Sequence, residues 1–256
     1  QELDKTSYPP SQSVPRLSSG VGGLDALLGG GLLTRSITLV SGSSGIGKSI
    51  LGLQFLLAGA ARNEPGLYVT LEEGPEELLA NAAALGLPLQ KAVDDGLVEI
   101  VYLPPTHTRS TQVIAVLTDK IRTQKTKRMV LDSTTHLVAS SLRQDDVREL
   151  LYDLVVRFKT QGVTCYFTLE ADSMYSTDFS ADRGFTPLAD NIVVLRYSPA
   201  GAKVDSSLMV VKTRGSAHDK GLHSFTLGRG GMTLGAPLNI ALPNQRTPAA
   251  TGGRKH

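Results

Sequence analysis

Short apolar runs alternate along the chain with segments whose apolar residues recur at helical spacing. The runs predicted as strands are 36–40, 66–71, 97–103, 129–132 and 163–169, and the segments predicted as helices are 47–61, 75–85, 111–123 and 145–160. This alternation predicts an α/β fold with a mostly parallel central sheet and helices on both faces. Three later strand-like runs, at 191–197, 207–214 and 224–227, follow one another without a helix and predict a late β-meander.

The two ends of the chain lack this alternation. Residues 1–15 hold three prolines among polar side chains and predict a linker or arm. Residues 243–256 are rich in proline, glycine and small residues and predict a flexible tail. No internal repeat is visible, so we expect a single domain over residues 16–242.

Composition narrows the class of protein. Apolar residues make up 41% of the chain and charged residues 20%, which is typical of a globular domain, and the formal net charge of +2 disfavours a dedicated polyanion binder. No run approaches the roughly 20 apolar residues that cross a bilayer, and no signal-peptide core is visible, so we expect a cytoplasmic protein without membrane contact. The single cysteine, Cys165, lies in an apolar run and predicts a buried thiol.

A glycine-rich loop carries the strongest chemical signal. Residues 42–49 read Gly-Ser-Ser-Gly-Ile-Gly-Lys-Ser and satisfy G-x-x-x-x-G-K-[ST] at every fixed position. The motif follows a predicted strand and opens a predicted helix, and this context disfavours an ordinary glycine-serine turn. We predict that a nucleotide phosphate group is bound by Ser44, Gly45, Ile46, Gly47, Lys48 and Ser49. Lys48 would reach the β- and γ-phosphates, and the Ser49 hydroxyl would bind Mg²⁺.

Carboxylates follow two of the predicted strands. Asp132 ends the run 129–132, and we predict that it contributes to the magnesium shell together with Ser49 and Glu72. The alternative is that Asp132 caps a helix or a turn. Glu72 and Glu73 follow the run 66–71, and either could orient the attacking water. We expect adjacent residues of an extended chain to point to opposite sides, with Glu72 the preferred catalytic residue. The alternative is an acidic pair that stabilises the next helix.

Several segments together resemble a known family. They are Ser19-Gly20-Val21, Gly23-Leu24-Asp25, Gly29-Gly30-Gly31, Leu71-Glu72-Glu73 and Leu131-Asp132-Ser133. The most specific match is the segment 212–221, which reads Lys-Thr-Arg-Gly-Ser-Ala-His-Asp-Lys-Gly. The chain resembles KaiC-type ATPase domains of the RecA superfamily from about residue 16 to residue 237. It is most similar to the carboxy-terminal ATPase domain of the circadian-clock members.

The resemblance implies a RecA-like P-loop NTPase fold and a specific arrangement of the site. Family members form homo-hexameric rings with ATP between subunits, so it implies ATP and Mg²⁺ as cofactors, self-association, and a role in signalling or clock-like regulation. It implies that Lys212, Thr213 and Arg214 of one subunit reach the nucleotide of its neighbour, with Arg214 acting as an arginine finger. Ser216, His218 and Lys220 would contact the adenosine, and Glu72 is the leading residue of the family's base position.

The sequence also departs from the family. Where the clock domain has two adjacent hydroxyl residues that accept phosphate, this chain has Thr186 and Pro187. Proline cannot accept phosphate, so Thr186 alone remains as a candidate phosphosite for Ser/Thr autokinase activity. Leu85 stands where the clock domain has an aromatic residue near the base, which leaves base selectivity open.

Two other functions compete with the ATPase. The first is a recombinase-like or helicase-like DNA motor, but residues 170–185 carry four acidic residues against Arg183, which disfavours nucleic acid. The second is a non-hydrolysing sensor in which ATP only stabilises an assembly. A zinc enzyme is disfavoured because the five histidines include no pair at i,i+4 spacing.

Overall fold

The computed structural model describes residues 14–104, 110–135, 144–171, 186–200 and 203–238. Two short strands open the chain, β1 (Arg16–Leu17) and β2 (Leu32–Leu33). The other strands are β3 (Ile37–Gly42), β4 (Gly66–Thr70), β5 (Val98–Tyr102), β6 (Arg128–Asp132), β7 (Thr164–Glu170), β8 (Asn191–Ala200), β9 (Lys203–Thr213), β10 (Leu222–Gly228) and β11 (Gly231–Pro237). The helices are α1 (Leu24–Leu27), α2 (Lys48–Ala60), α3 (Pro75–Ala84), α4 (Leu89–Asp94), α5 (Ser110–Gln124) and α6 (Gln144–Thr160).

Among the described residues, β3 to β11 form one nine-stranded sheet in the order β11-β10-β9-β8-β3-β7-β6-β4-β5. The strands from β5 to β8 in that order are parallel, and β8, β9, β10 and β11 are joined by antiparallel pairs. The α/β fold with a mostly parallel sheet and a late β-meander is therefore confirmed. The sequence patterns missed β11, α1, α4 and the β1–β2 pair.

Helices cover both faces of the sheet, as predicted. One buried cluster joins α1 to α4 with alternate residues of the sheet, such as Val40, Tyr68 and Val130. The other joins α5 and α6 with the intervening residues, such as Leu39, Leu67 and Leu131. This switch of face at each successive residue is the period-two geometry of a strand that is buried on both sides.

Two edges of the sheet matter for function. The carboxyl ends of the parallel strands meet at one edge, where Gly42 pairs with Glu170 and Thr70 pairs with Asp132. We call it the carboxyl edge. The opposite, amino edge holds the starts of β3 and β8 and, because β9 runs antiparallel to β8, the end of β9 at Thr213.

The cysteine, the chain ends and the membrane question concern the rest of the organisation. Cys165 is buried, and burial raises the pKa of its thiol far above the ordinary value, so it is inert as predicted. The predicted tail lies outside the described residues, and so does most of the predicted arm. Across the described segments, no helix has both the length and the apolar character needed to cross a membrane.

Candidate functional site

The glycine-rich loop lies at the carboxyl edge, between β3 and α2. Its last glycine, Gly47, is the N-cap residue of α2 and has φ 107°, a left-handed conformation that side chains rarely adopt. A Cβ atom at Gly42 would lie 2.8 Å from the carbonyl oxygen of Leu195. The Ile46 side chain is buried and packs against Gly42, so only its backbone is left to contact a ligand of the loop. The sequence therefore produces a tight loop whose N–H groups stand at a helix N-terminus.

Lys48 is held across this loop. Its Nζ atom donates to the carbonyl oxygens of Gly42 at 2.9 Å and Ser43 at 2.8 Å. Burial lowers the pKa of the Lys48 amine, and the carboxylates of Glu170, Asp132 and Glu72 act in the opposite direction. A bound phosphate would raise the pKa of Lys48 as these carboxylates do, and it would therefore favour the charged amine.

Asp132 lies at the centre of a hydrogen-bond network on the α2 face of the sheet. Tyr68 in β4 donates its hydroxyl to Oδ2 at 2.5 Å, and Thr168 in β7 donates to Oδ1 at 2.5 Å. Burial and the neighbouring carboxylate raise the pKa of Tyr68 well above its ordinary value, so this phenol stays protonated and can donate. The Ser49 hydroxyl lies near the Tyr68 hydroxyl and acts to lower the Tyr68 pKa.

The two glutamates sit in a bend after β4. The Thr70 hydroxyl accepts from the backbone N–H of Glu73 at 3.1 Å and donates to the Glu73 carbonyl at 2.8 Å, which fixes the bend. The Glu72 carboxylate accepts from the Ser133 hydroxyl at 2.6 Å. Burial raises the pKa of Glu73, although a hydrogen bond from Asn81 opposes the change.

The expectation that these glutamates point to opposite sides is wrong, because the chain bends there and is not extended. Both glutamates line one cavity of about 380 Å³. The preference for Glu72 over Glu73 stays a prediction.

The same cavity collects most of the residues predicted at the carboxyl edge. Its polar lining comes from Ser44, Gly45, Gly47, Lys48, Ser49, Glu72, Glu73, Asn81, Asp132, Ser133 and Glu170, and its apolar lining from Ile50, Leu53, Leu78, Ala84, Leu85 and Leu227. A polar floor beside an apolar wall is the composition that a nucleotide requires for its phosphates and its base.

The donor set of this cavity fits magnesium. Ser49 offers a hydroxyl and Asp132 and Glu72 offer carboxylates, which are hard oxygen ligands. Within the described part of the chain, no group of three or more histidine, cysteine, aspartate or glutamate side chains is placed to hold a metal ion. An Mg²⁺ ion would therefore be coordinated by few side chains and by substrate phosphates, as is usual for Mg²⁺ in proteins.

The segment 212–220 lies away from this cavity. Thr213 pairs with Asn191, which pairs with Thr38 near the start of β3, so the segment begins at the amino edge. Thr38 and Gly42 are separated by about 13 Å at roughly 3.3 Å per residue. None of residues 212–220 is among those that line the cavity. The fold thus places Lys212, Thr213 and Arg214 at the opposite edge of the sheet from the glycine-rich loop of their own chain. Ser216, His218 and Lys220 do not line the cavity either.

Local contacts fix the start of this segment. Lys212 donates through Nζ to the carbonyl oxygen of Thr186 at 2.8 Å, and Arg214 donates through Nη2 to that of Pro187 at 2.8 Å. The Arg214 backbone N–H donates to the carbonyl oxygen of Asp190 at 2.8 Å. The Arg214 side chain nevertheless remains 55% exposed, so it is available to an incoming partner.

The later part of the segment packs against the start of the domain. Ser216 donates to the Leu28 carbonyl oxygen at 3.5 Å, and the backbone N–H of Asp219 donates to that of Leu27 at 3.0 Å. Nε2 of His218 is buried and has no hydrogen-bond partner among the described residues, whereas Lys220 is exposed. The adenosine contacts predicted for these residues stay predictions.

Sequence reasoning missed the residues that support the candidate ligands. Tyr68, Thr70 and Thr168 were not identified, although Tyr68 and Thr70 are polar residues at alternate positions of an otherwise apolar strand. That alternation was the available signal. The loop that bears on DNA binding, 170–185, lies largely outside the described residues, so that alternative stays untested.

Comparison with known proteins identifies the family of the chain. A family model described as an ATPase, KaiC, matches residues 17–238. The chain is 32% identical over 246 residues to the circadian clock oscillator protein KaiC of Parathermosynechococcus lividus, covering 92% of this chain and 45% of that protein. It is also 32% identical to the protein of that name from Synechococcus elongatus (92% and 47% covered), and 30% identical to the circadian clock protein KaiC3 of Synechocystis sp. (87% and 44%). The chain spans about half the length of these relatives. Because the family model covers nearly all of the described residues, the chain belongs to the KaiC family of ATPase domains.

Proposed function

We propose that the chain binds Mg-ATP at the glycine-rich loop and hydrolyses it at an interface between two copies of itself. The observation that carries the proposal is the cavity at the carboxyl edge, which brings Lys48, Ser49, Asp132 and the glutamate pair together. A phosphate-binding loop, a carboxylate for the metal shell and a carboxylate for water are the components that phosphoryl transfer to water needs.

The chemistry follows from these positions. A water molecule attacks the γ-phosphate in line with the leaving oxygen, and Glu72, fixed by its hydrogen bond from Ser133, orients that water. Lys48 contributes positive charge to the β- and γ-phosphate oxygens as negative charge shifts toward the leaving group. Bound Mg²⁺ would supply further positive charge to these oxygens, held by Ser49 and Asp132, with Glu72 as a third oxygen donor.

In this proposal, the neighbouring chain supplies further positive charge to the phosphates. Arg214 and Lys212 lie at the amino edge, far from the loop of their own chain, and the Arg214 side chain is largely exposed. In a ring built by a repeated head-to-tail interface, the amino edge of one chain can face the carboxyl edge of the next. Arg214 then acts as an arginine finger, and Ser216, His218 and Lys220 face the adenosine.

The assembly in this proposal is a homo-hexameric ring that acts in the cytoplasm. Its support is family membership, and several relatives are named as circadian clock proteins. By analogy with those names, we propose a signalling or clock-like role in which turnover depends on assembly.

The test combines mass in solution with phosphate release. Wild-type chain should be a small species without nucleotide, become a closed oligomer with Mg-ATP, and release phosphate only as that oligomer. Glu72→Gln should still assemble with ATP but lose turnover by roughly 10²–10⁴-fold, because it removes the group that orients water. Hydrolysis at full rate by a monomer would refute the shared site. Assembly without any hydrolysis by the wild type would instead identify a non-hydrolysing sensor.

Autokinase activity with Thr186 as acceptor is the second candidate. Thr186 is half-buried and lies beside Lys212 and Arg214 at the amino edge, so a phosphoryl donor in the adjacent chain would face it in the proposed ring. Incubation with ATP followed by mass spectrometry should then find one phosphate on Thr186 that is lost in Thr186→Val. Unmodified Thr186 in an assembled, ATP-saturated ring would refute this candidate.

A further inference from the structure

We propose that Tyr68 and Thr168 are positioning residues that orient Asp132 toward the magnesium ion. This inference rests on the proposed Mg-ATP site. The two hydroxyls clamp the Asp132 carboxylate from both sides, one from β4 and one from β7. Neither touches the phosphates in this proposal. They act by fixing the oxygen atoms that do the binding.

The strand register explains why a tyrosine can do this. Thr70 lies directly opposite Asp132, and Tyr68 lies two residues earlier on the same face of β4. Two residues of a strand span about 6.6 Å. The phenol ring covers that span and delivers its hydroxyl to Asp132, whereas a shorter side chain would stop below the carboxylate. A phenylalanine would reach the same place without a donor.

The hydrogen bond from Tyr68 also bears on Ser49. Tyr68 donates its only proton to Asp132, so its oxygen can only accept from the nearby Ser49 hydroxyl. A hydrogen bond from Ser49 would use the Ser49 proton and leave the Ser49 lone pairs for a cation. Tyr68 thus orients the candidate ligand Asp132 from β6, and it favours the matching orientation of Ser49 from α2.

The neighbouring strand provides a matched control. Tyr166 in β7 is also fully buried and stacks on Phe55, but its hydroxyl has no hydrogen-bond partner among the described residues. Tyr68→Phe and Tyr166→Phe therefore each remove one buried hydroxyl, and only Tyr68→Phe removes a group bonded to the candidate ligand Asp132. A general effect of losing a buried hydroxyl would appear in both variants.

The experiment measures metal binding without turnover. The full chain is saturated with ADP, and free Mn²⁺, as a paramagnetic substitute for Mg²⁺, is counted by electron paramagnetic resonance. ADP affinity is measured separately in EDTA. Tyr68→Phe should weaken Mn²⁺ binding by about 10–100-fold, as loss of a supporting hydrogen bond does elsewhere. Its ADP affinity in EDTA should not change, and Tyr166→Phe should match the wild type in both.

A second pair of variants keeps the test decisive if Tyr68→Phe does not fold. Thr168→Val removes the other donor and should weaken Mn²⁺ binding, whereas Thr168→Ser keeps the hydroxyl and should not. Equal Mn²⁺ affinity in all variants, or an equal loss of ADP affinity in EDTA, would overturn the positioning role. A wild-type chain whose ADP binding does not respond to the metal would instead overturn the proposed function itself.

Discussion

Arg214 and Glu72 belong to opposite edges of one chain, so mixing two inactive variants should restore activity. Arg214→Ala removes the proposed finger, and Glu72→Gln removes the carboxylate that is proposed to orient the attacking water. Alone, Arg214→Ala should lose roughly 10²–10³-fold in turnover, the usual effect of deleting one charge-stabilising donor at a transition state. Each variant keeps the half of the site that the other lacks.

The size of the recovery follows from the geometry. The segment that holds Arg214 starts about 13 Å along the sheet from the end of β3, so one chain cannot supply both halves. In a ring assembled at random from equal amounts, about one interface in four pairs an intact Glu72 with an intact Arg214. Activity should therefore reach about a quarter of the wild-type rate, and it should be maximal at the equal mixture.

The assay is steady-state phosphate release across mixing ratios, with assembly checked by light scattering. Arg157→Ala is the matched control, because Arg157 is a surface arginine in an exposed ion pair with Asp153 and its loss should leave the rate unchanged. A flat, inactive mixing curve from fully assembled rings would refute the shared site. So would wild-type turnover by Arg214→Ala alone.

Three further predictions concern the nucleotide site and the core. Lys48→Met should abolish the increase in unfolding free energy that ATP gives. In the wild type this increase should be about 2.7 kcal/mol when ATP is in hundredfold excess over its Kd. Urea unfolding with and without nucleotide measures it. Glu64→Ala should destabilise the fold by about 3 kcal/mol, because it leaves the fully buried Arg128 guanidinium without the carboxylate that lies 2.7 Å away. An unchanged midpoint of urea unfolding would contradict this prediction. Glu73→Gln should raise the thermal stability of the nucleotide-free chain above pH 7. The raised pKa of Glu73 means that the folded state binds its proton more tightly than the unfolded state does, so stability falls as pH rises through that pKa. The gain should vanish below the ordinary value of 4.5, and a gain that persists there would contradict the cause.

Part of this site could be predicted because its signals are local. Residues 42–49 form a continuous motif, and Asp132 ends an apolar run, so both can be located without knowing which strands are neighbours. The order of the sheet then brings them together, since β3, β7 and β6 are adjacent. The α/β class follows from the same local alternation.

The rest depends on contacts between distant parts of the chain. Tyr68 and Thr168 read as ordinary strand residues, and their role appears only when β4, β6 and β7 are placed in register. The bend at Glu72 and Glu73 depends on the hydroxyl of Thr70, which strand periodicity does not report. The helix α4 was missed because six residues carry too little periodicity to identify.

The late meander touches the glycine-rich loop of its own chain. Side chains of Leu227 and Met232, at the turn between β10 and β11, lie against Gly47, and Gln54 of α2 accepts from the backbone N–H of Met232 at 2.7 Å. Strand β9 of the same antiparallel unit leads into the residues that are proposed to reach the next chain. In the proposed ring, one antiparallel unit would therefore contact two nucleotide sites, and a change at one site could alter binding at the other. Cooperativity in the proposed ring would then need no additional structural element, and the coupling free energy between two neighbouring sites would be the same in both directions.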